Sequence, residues 1–186
     1  MARTEKEKML AGDLYLASDP ELTALRLRAR RLLRAFNDAA PEDDALRRSV
    51  LEQLLGAVGP QVRIEPPFFC DYGAQLILGA RVYFNTQCVV LDCNRVVVGD
   101  DTSFGPGVHL YAATHPLDAA ERRQGPERAL PIAIGAVCWI GGGSIVLAGV
   151  TIGEGTTVGA GSVVNRDLPA HVLAVGNPCR VVRSLR

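Results

Sequence analysis

The chain has three histidines, His109, His115 and His171, and five cysteines, Cys70, Cys88, Cys93, Cys138 and Cys179. Imidazole titrates nearest neutral pH, so each histidine is a candidate general base or metal ligand. A catalytic zinc site needs three ligands around one ion. His109 and His115 stand six residues apart and His171 lies far downstream, so the close pair such a site favours does not occur. The cysteine number is odd and no C-x-x-C pair is present, which argues for reduced, buried thiols over a disulfide framework or zinc ribbon. His115 differs from the others in its setting. It is followed by Pro116 near the start of a polar stretch, residues 111–131, that contains Pro116, Gly125, Pro126 and Pro131. A lone loop histidine is more often a surface residue than a catalyst. Loops this long in compact domains, however, are either functional or disordered. No nucleophile elbow, P-loop or dinucleotide fingerprint supplies a competing centre. The string GGGSIV resembles a phosphate loop but lies inside a repeat that explains its glycines.

That repeat is what must position His115. Every sixth residue from Ile134 is a branched aliphatic: Ile134, Ile140, Val146, Ile152, Val158 and Val164. Glycine follows four of them directly, at Gly135, Gly141, Gly153 and Gly159, where it is expected to serve a turn. Four residues after each aliphatic come Cys138, Ser144, Val150, Thr156, Ser162 and Leu168, most of them small. An earlier tract runs through Leu78, Phe84 and Val90 and resumes, after an offset of two residues, at Val98, Phe104 and Leu110. A period of six fits neither a helix nor an alternating strand. It fits a chain that turns a corner every six residues, with three segments per triangular coil and stacked coils pairing as parallel strands. The usual right-handed preference of β crossovers leaves the hand of this coil open from spacing alone. The expected architecture is mainly β: residues 60–186 form a parallel β-helix, running from about Val62 to Val182, with a protruding loop at 111–131 and a C-terminal tail.

Residues 1–59 read as a helical segment. Thr4 and Glu7 have capping-box spacing. A second helix starts near Ser18 to Pro20 and runs to about Phe36, with Leu22, Leu25, Leu32, Leu33 and Phe36 as its apolar stripe. Arg26, Arg28, Arg30, Arg31 and Arg34 decorate the remainder, which reads as a solvated face. A third helix is expected from Pro41 to Leu55, its acidic start facing the positive end of the helix dipole.

Composition excludes several function classes. Hydrophobic residues make up 48% and charged residues 22% of the 186, a globular balance. Twenty basic and 20 acidic residues cancel, so bulk attraction to nucleic acid or an anionic membrane is not expected. The apolar runs are too short to span a bilayer and MARTEKEKML lacks an apolar signal core, so a cytoplasmic location is expected.

With these features assembled, the chain resembles the maltose and galactoside O-acetyltransferases of the hexapeptide-repeat acyltransferase superfamily. The resemblance rests on TEKEKMLAGDLY, RLRAR, IEPPFFCDYG, YFNTQCVVLD, ATHP, VCWIGGGSIVLAGVTIG and VGNPCRVVR. It implies a left-handed β-helix and a homotrimer with active sites between subunits. It also implies acetyl-CoA as co-substrate, a small sugar of maltose or glucose type as acceptor, and no metal. His115 matches the family's general base, and a backbone N–H near Gly142 would hold the oxyanion. Asp71, Tyr83, Asn85 and Asp92 fall at or beside sugar-binding positions, with Arg26 approaching from the helical segment. Ala160, Asn165 and Arg166 would line the path of the CoA arm, and Arg180 and Arg183 its phosphates. Read without the resemblance, Asn85 and Asp92 are corner-capping residues and Arg180 an ion-pair partner. The galactoside enzymes carry Asp where Cys93 and Ala17 stand, which favours the maltose branch. Nodulation-factor acetyltransferases share this organisation and act on an oligosaccharide, an alternative acceptor. A γ-class carbonic-anhydrase-like zinc enzyme and a non-catalytic scaffold are the other readings this fold admits.

Overall fold

The computed structural model describes residues 3–185; Met1, Ala2 and Arg186, counted in the expected segments, lie outside the described residues. Helix α1 (Glu5–Ala11) begins with the expected capping box, Thr4 accepting from the Glu7 N–H and Glu7 from the Thr4 N–H. Helix α2 (Pro20–Asn37) starts at Asp19, whose carboxylate accepts from the amides of Glu21 and Leu22, and places proline at its first turn. Helix α3 (Asp44–Leu54) starts three residues later than expected from Pro41, because Asp43 takes the cap position and accepts from the Leu46 N–H. Asn37 ties the end of α2 to the first coil: its amide donates to the Phe68 carbonyl and accepts from the Phe68 N–H.

The β-helix begins at Ala57–Val58, earlier than the expected Val62. It has three faces. The first stacks Ala57–Val58, Leu76–Leu78, Val96–Val98, Ile132–Ile134 and Thr151–Ile152 in parallel. The second stacks Arg63–Ile64, Tyr83–Phe84, Ser103–Phe104, Trp139–Ile140, Thr157–Val158 and Val172–Val175, closed by the antiparallel Arg180–Ser184. The third stacks Phe69–Cys70, Val89–Leu91, His109–Tyr111, Ile145–Leu147 and Val163–Val164. All six aliphatic residues of the ladder from Ile134 to Val164 are buried along the axis, as are the six residues four positions after them. Each buried Ile or Val of the ladder contributes roughly 1.5–3 kcal/mol. Phe84 and Phe104 stack with ring centroids 4.0 Å apart.

The glycines of the ladder serve a different purpose from the one expected. A Cβ on Gly141 would lie 2.5 Å from the Ala160 amide nitrogen, so glycine there permits close stacking of coils. The left-handed backbone falls two residues later, at Gly143, with φ of 68°.

Coil length changes along the stack. Ala57 pairs with Ile77 and Ile77 with Val97, twenty residues per coil, whereas Ala133 pairs with Thr151, eighteen. The two extra residues sit at the corner between the third and first faces, at 71–75 and 91–95. In the third coil the same corner opens into the 111–131 excursion. That excursion is ordered. Ala113–Thr114 pairs antiparallel with Pro126–Ala129, which pairs in turn with Tyr15–Leu16, and α4 (Ala119–Arg122) caps the tip.

Candidate active site

His115 follows Thr114 at the end of the excursion's first strand and is exposed. Among the described residues it has no hydrogen-bond partner, leaving both ring nitrogens available. It lines a cleft of about 450 Å³ with Leu14, Thr114, Leu117, Arg128 and Leu130. His109 is engaged elsewhere: its Nδ1 meets the Tyr111 hydroxyl on the third face. Among the described residues, no group of three His, Cys, Asp or Glu side chains could hold a metal ion.

On the widened corner, a second, polar cleft of about 300 Å³ gathers Arg26, Arg30, Asp71, Tyr72, Cys93 and Glu127. Glu127 and Arg128 are consecutive on the returning strand, and successive strand residues point to opposite sides. Glu127 lines the polar cleft and Arg128 the cleft that holds His115. Arg26 is fixed by the Tyr72 hydroxyl at 2.8 Å, the Ala17 carbonyl at 2.6 Å and the Thr23 hydroxyl. Burial, with Glu127 alongside, holds the Asp71 carboxyl above the ordinary range, against the opposing pull of the Cys93 thiol, Arg26 and Arg30. The Cys93 thiol donates to Asp71 at 3.3 Å. Tyr15 donates to Glu127 at 2.8 Å, tying the N-terminal segment to this wall. Burial pushes the Tyr72 hydroxyl up to about 12, opposed by Arg26.

Of the acceptor residues expected from sequence, Arg26 and Asp71 meet in this cleft. Asp92 does not join them. It is fully buried, and its carboxylate accepts from the Tyr72 N–H at 2.9 Å and the Gln75 N–H at 3.2 Å. It therefore holds the corner rather than touching a ligand, which is the corner-capping alternative. Tyr83 and Asn85 lie on a different edge of the prism, on the second face and the corner after it. Asn85 caps its own turn, accepting from the Thr86 N–H at 2.8 Å.

Gly142 and Ala160 occupy that same corner in later coils. Thr86 has its amide capped by Asn85, and Pro106 has no N–H. Among the described residues, the amides of Gly142 and Ala160 meet no protein acceptor, which leaves two N–H groups on successive coils available to a ligand. Asn165 and Arg166 are exposed on the last turn between the third and first faces; Arg180 and Arg183 lie on the closing strand, donating to the Cys179 and Ser184 carbonyls. Within one chain these groups are not drawn into either cleft.

Sequence reasoning missed Arg30, Tyr72 and Glu127 as cleft residues, and Tyr15 as the support of Glu127. Arg30 looked like one more solvated cation. Glu127 sits in a stretch without period and reaches the cleft only because its strand pairs with Tyr15, 112 residues earlier. No helix among the described residues is long and apolar enough to cross a membrane.

Comparison with known proteins places this geometry. Residues 8–59 match the maltose acetyltransferase hexapeptide capping motif, and residues 131–166 match the bacterial transferase hexapeptide of six repeats. The chain is 47% identical over 181 residues to nodulation protein L of Rhizobium meliloti, covering 97% of this chain and 99% of that protein. A maltose O-acetyltransferase from Clostridium difficile 630 superposes with a TM-score of 0.98 at 42% identity, with full coverage of both chains. A galactoside acetyltransferase solved with coenzyme A superposes with a TM-score of 0.96 at 34% identity, covering 100% of this chain and 92% of that one. The winding is thus the left-handed β-helix of hexapeptide repeats, and the chain belongs to the maltose and galactoside O-acetyltransferase family of hexapeptide-repeat acetyltransferases.

Proposed function

We propose that this protein transfers the acetyl group of acetyl-CoA to a hydroxyl of a sugar, with His115 as general base. The observation that carries the reading is the unpartnered imidazole of His115 next to a strand pair whose Glu127 lines a polar cleft of carboxylates and guanidinium groups. A sugar ring presents paired hydroxyls that such groups bind as donors and acceptors together. The His115 imidazole takes the proton from the acceptor hydroxyl as its oxygen attacks the thioester carbonyl. The tetrahedral oxyanion accepts a hydrogen bond from the Gly142 N–H. The intermediate then collapses, the carbon–sulfur bond breaks, and the imidazolium returns the proton to the departing CoA thiolate. The products are the O-acetylated sugar and CoA, with no acetyl-enzyme between them.

The donor edge and the His115 edge are separated within one chain, so the complete site lies between copies in a homotrimer. The outward side of the third face supports this arrangement. It carries Phe69, Val89, Leu91, Ile145, Leu147 and Val163, apolar and incompletely covered in a single chain. In that assembly Tyr83, Asn85, Gly142 and Ala160 of one copy face His115, Asp71 and Arg26 of the next. Asn165, Arg166, Arg180 and Arg183 receive the CoA arm and its phosphates.

The acceptor is of maltose or glucose type. The similarity to nodulation protein L favours an oligosaccharide as the second reading. An acceptor screen with acetyl-CoA, following free thiol against glucose, maltose, galactosides and chitin oligosaccharides, separates the two. Thiol release dependent on glucose or maltose supports the first, and release only with the oligosaccharides supports the second. Release with none of them removes both.

A further inference from the structure

The two extra residues per coil at the widened corner create a feature that the transfer chemistry does not itself use. In the second coil this corner places Asp92, Cys93 and Asn94 in succession, and all three are buried. A charged residue and an amide seldom occur side by side at that depth unless their polar atoms are engaged. Each is engaged in a different direction. Asp92 reaches back to the first coil and receives the backbone N–H groups of Tyr72 and Gln75. That corner carries Asp71 and the Tyr72 hydroxyl that fixes Arg26. Asn94 reaches the other way. Its amide donates to the carbonyls of Met9 at 3.2 Å, Leu10 at 3.4 Å and Ala129 at 3.0 Å, while its oxygen accepts from the Arg95 N–H. One side chain thereby joins the end of α1, the returning strand of the excursion and the β-helix. The returning strand pairs Ala129 with Ala113 and Arg128 with Thr114, the residue before His115. Between the two, the Cys93 thiol meets Asp71.

We infer that Asp92 and Asn94 are a pair of positioning residues on one buried corner, Asp92 setting the acceptor wall and Asn94 setting the strand pair that presents His115. The inference rests on the sugar acetyltransferase reading. A corner holding both halves of the site keeps their separation fixed, and small displacements of reacting groups cost rate steeply. The two residues separate kinetically because Asp92 touches the acceptor wall alone, whereas Asn94 holds the strand pair that presents His115.

The test is steady-state kinetics of the full-length protein with acetyl-CoA and the best acceptor from the screen, on the parent, Asp92→Asn and Asn94→Ala. Asp92→Asn turns an amide toward one of two backbone donors. It is expected to raise the acceptor KM about tenfold, the effect of one poorly satisfied buried N–H, with kcat and the acetyl-CoA KM within about twofold. Asn94→Ala is expected to lower kcat about tenfold by loosening the His115 strand pair, with the acetyl-CoA KM within about twofold and the acceptor KM, through Glu127 on the same strand, raised less than by Asp92→Asn. If either variant does not fold, Asp92→Glu or Asn94→Gln, which keep the chemistry but lengthen the reach, replaces it, with the same split expected. Equal effects of both variants on kcat and KM, or no effect of either, overturn the inference. A parent protein without sugar acetylation instead removes the reading beneath it.

Discussion

Replacing Gly142 by proline removes one hydrogen-bond donor while keeping a backbone that this corner already accepts. The coil below carries Pro106 at the same register, two residues after Phe104, which pairs with Ile140. Gly142 does not adopt a left-handed conformation, and the residue before it is glycine, which tolerates a following proline. Its N–H has no protein acceptor, so no structural hydrogen bond is lost. A Cβ at 142 meets the Pro106 carbonyl oxygen at 3.0 Å, so some crowding is unavoidable. Gly142→Ala introduces the same Cβ contact and keeps the donor, which makes it the control. Loss of one preorganised oxyanion donor lowers kcat about 100- to 1000-fold, or roughly 2.7–4 kcal/mol of transition-state stabilisation. Initial rates of thiol release at saturating acetyl-CoA and acceptor measure the effect, with thermal unfolding reporting the fold. The expected result is a large kcat loss in Gly142→Pro alone. If Gly142→Pro is no slower than Gly142→Ala, the Gly142 amide does not hold the oxyanion.

Three further outcomes follow from particular contacts. Burial pushes Asp92 up to about 6, against the backbone donors of Tyr72, Gly73 and Gln75. The native state then binds this proton more tightly than the unfolded chain, so stability falls as pH rises from about 4 through 6. The group's contribution is on the order of 3 kcal/mol, and Asp92→Asn flattens that part of a denaturant-unfolding profile. Phe104→Ala empties the stacked position against Phe84 and lowers stability by about 3–5 kcal/mol in the same assay. Co-assembly of His115→Ala copies with Asn85→Ala copies restores activity that neither has alone, since some sites then draw both intact residues from different copies; inactive mixtures would place both residues in one chain's site.

How far the sequence is legible differs between scaffold and site. The ladder from Ile134 to Val164 is legible because one side chain per six residues must fill a narrow axis, and all six do. The two-residue offset between Val90 and Val98 is visible in the sequence as a slip. Its structural meaning, a corner wide enough to hold a cleft, depends on stacking with 71–75 and is not local. The ladder glycines were recognisable by position but not by cause, since the neighbour that forbids a side chain at Gly141 is Ala160 of the next coil. The site residues divide the same way. His115 and Gly142 stand in the ATHP and WIGG segments. Glu127, Tyr15 and Asn94 join the site's support only through pairings across 35 to 112 residues, which no spacing rule reads.

The role of His115 as general base is tested by His115→Ala, assayed with acetyl-CoA and sugar by thiol release and by mass detection of the acetylated product. The imidazole lies at the surface and holds no hydrogen bond among the described residues, so its removal should leave unfolding temperature and assembly unchanged. Loss of product by about a hundredfold or more is expected, with acetyl-CoA affinity retained in calorimetry. Parent-like turnover in a correctly assembled His115→Ala protein would contradict it.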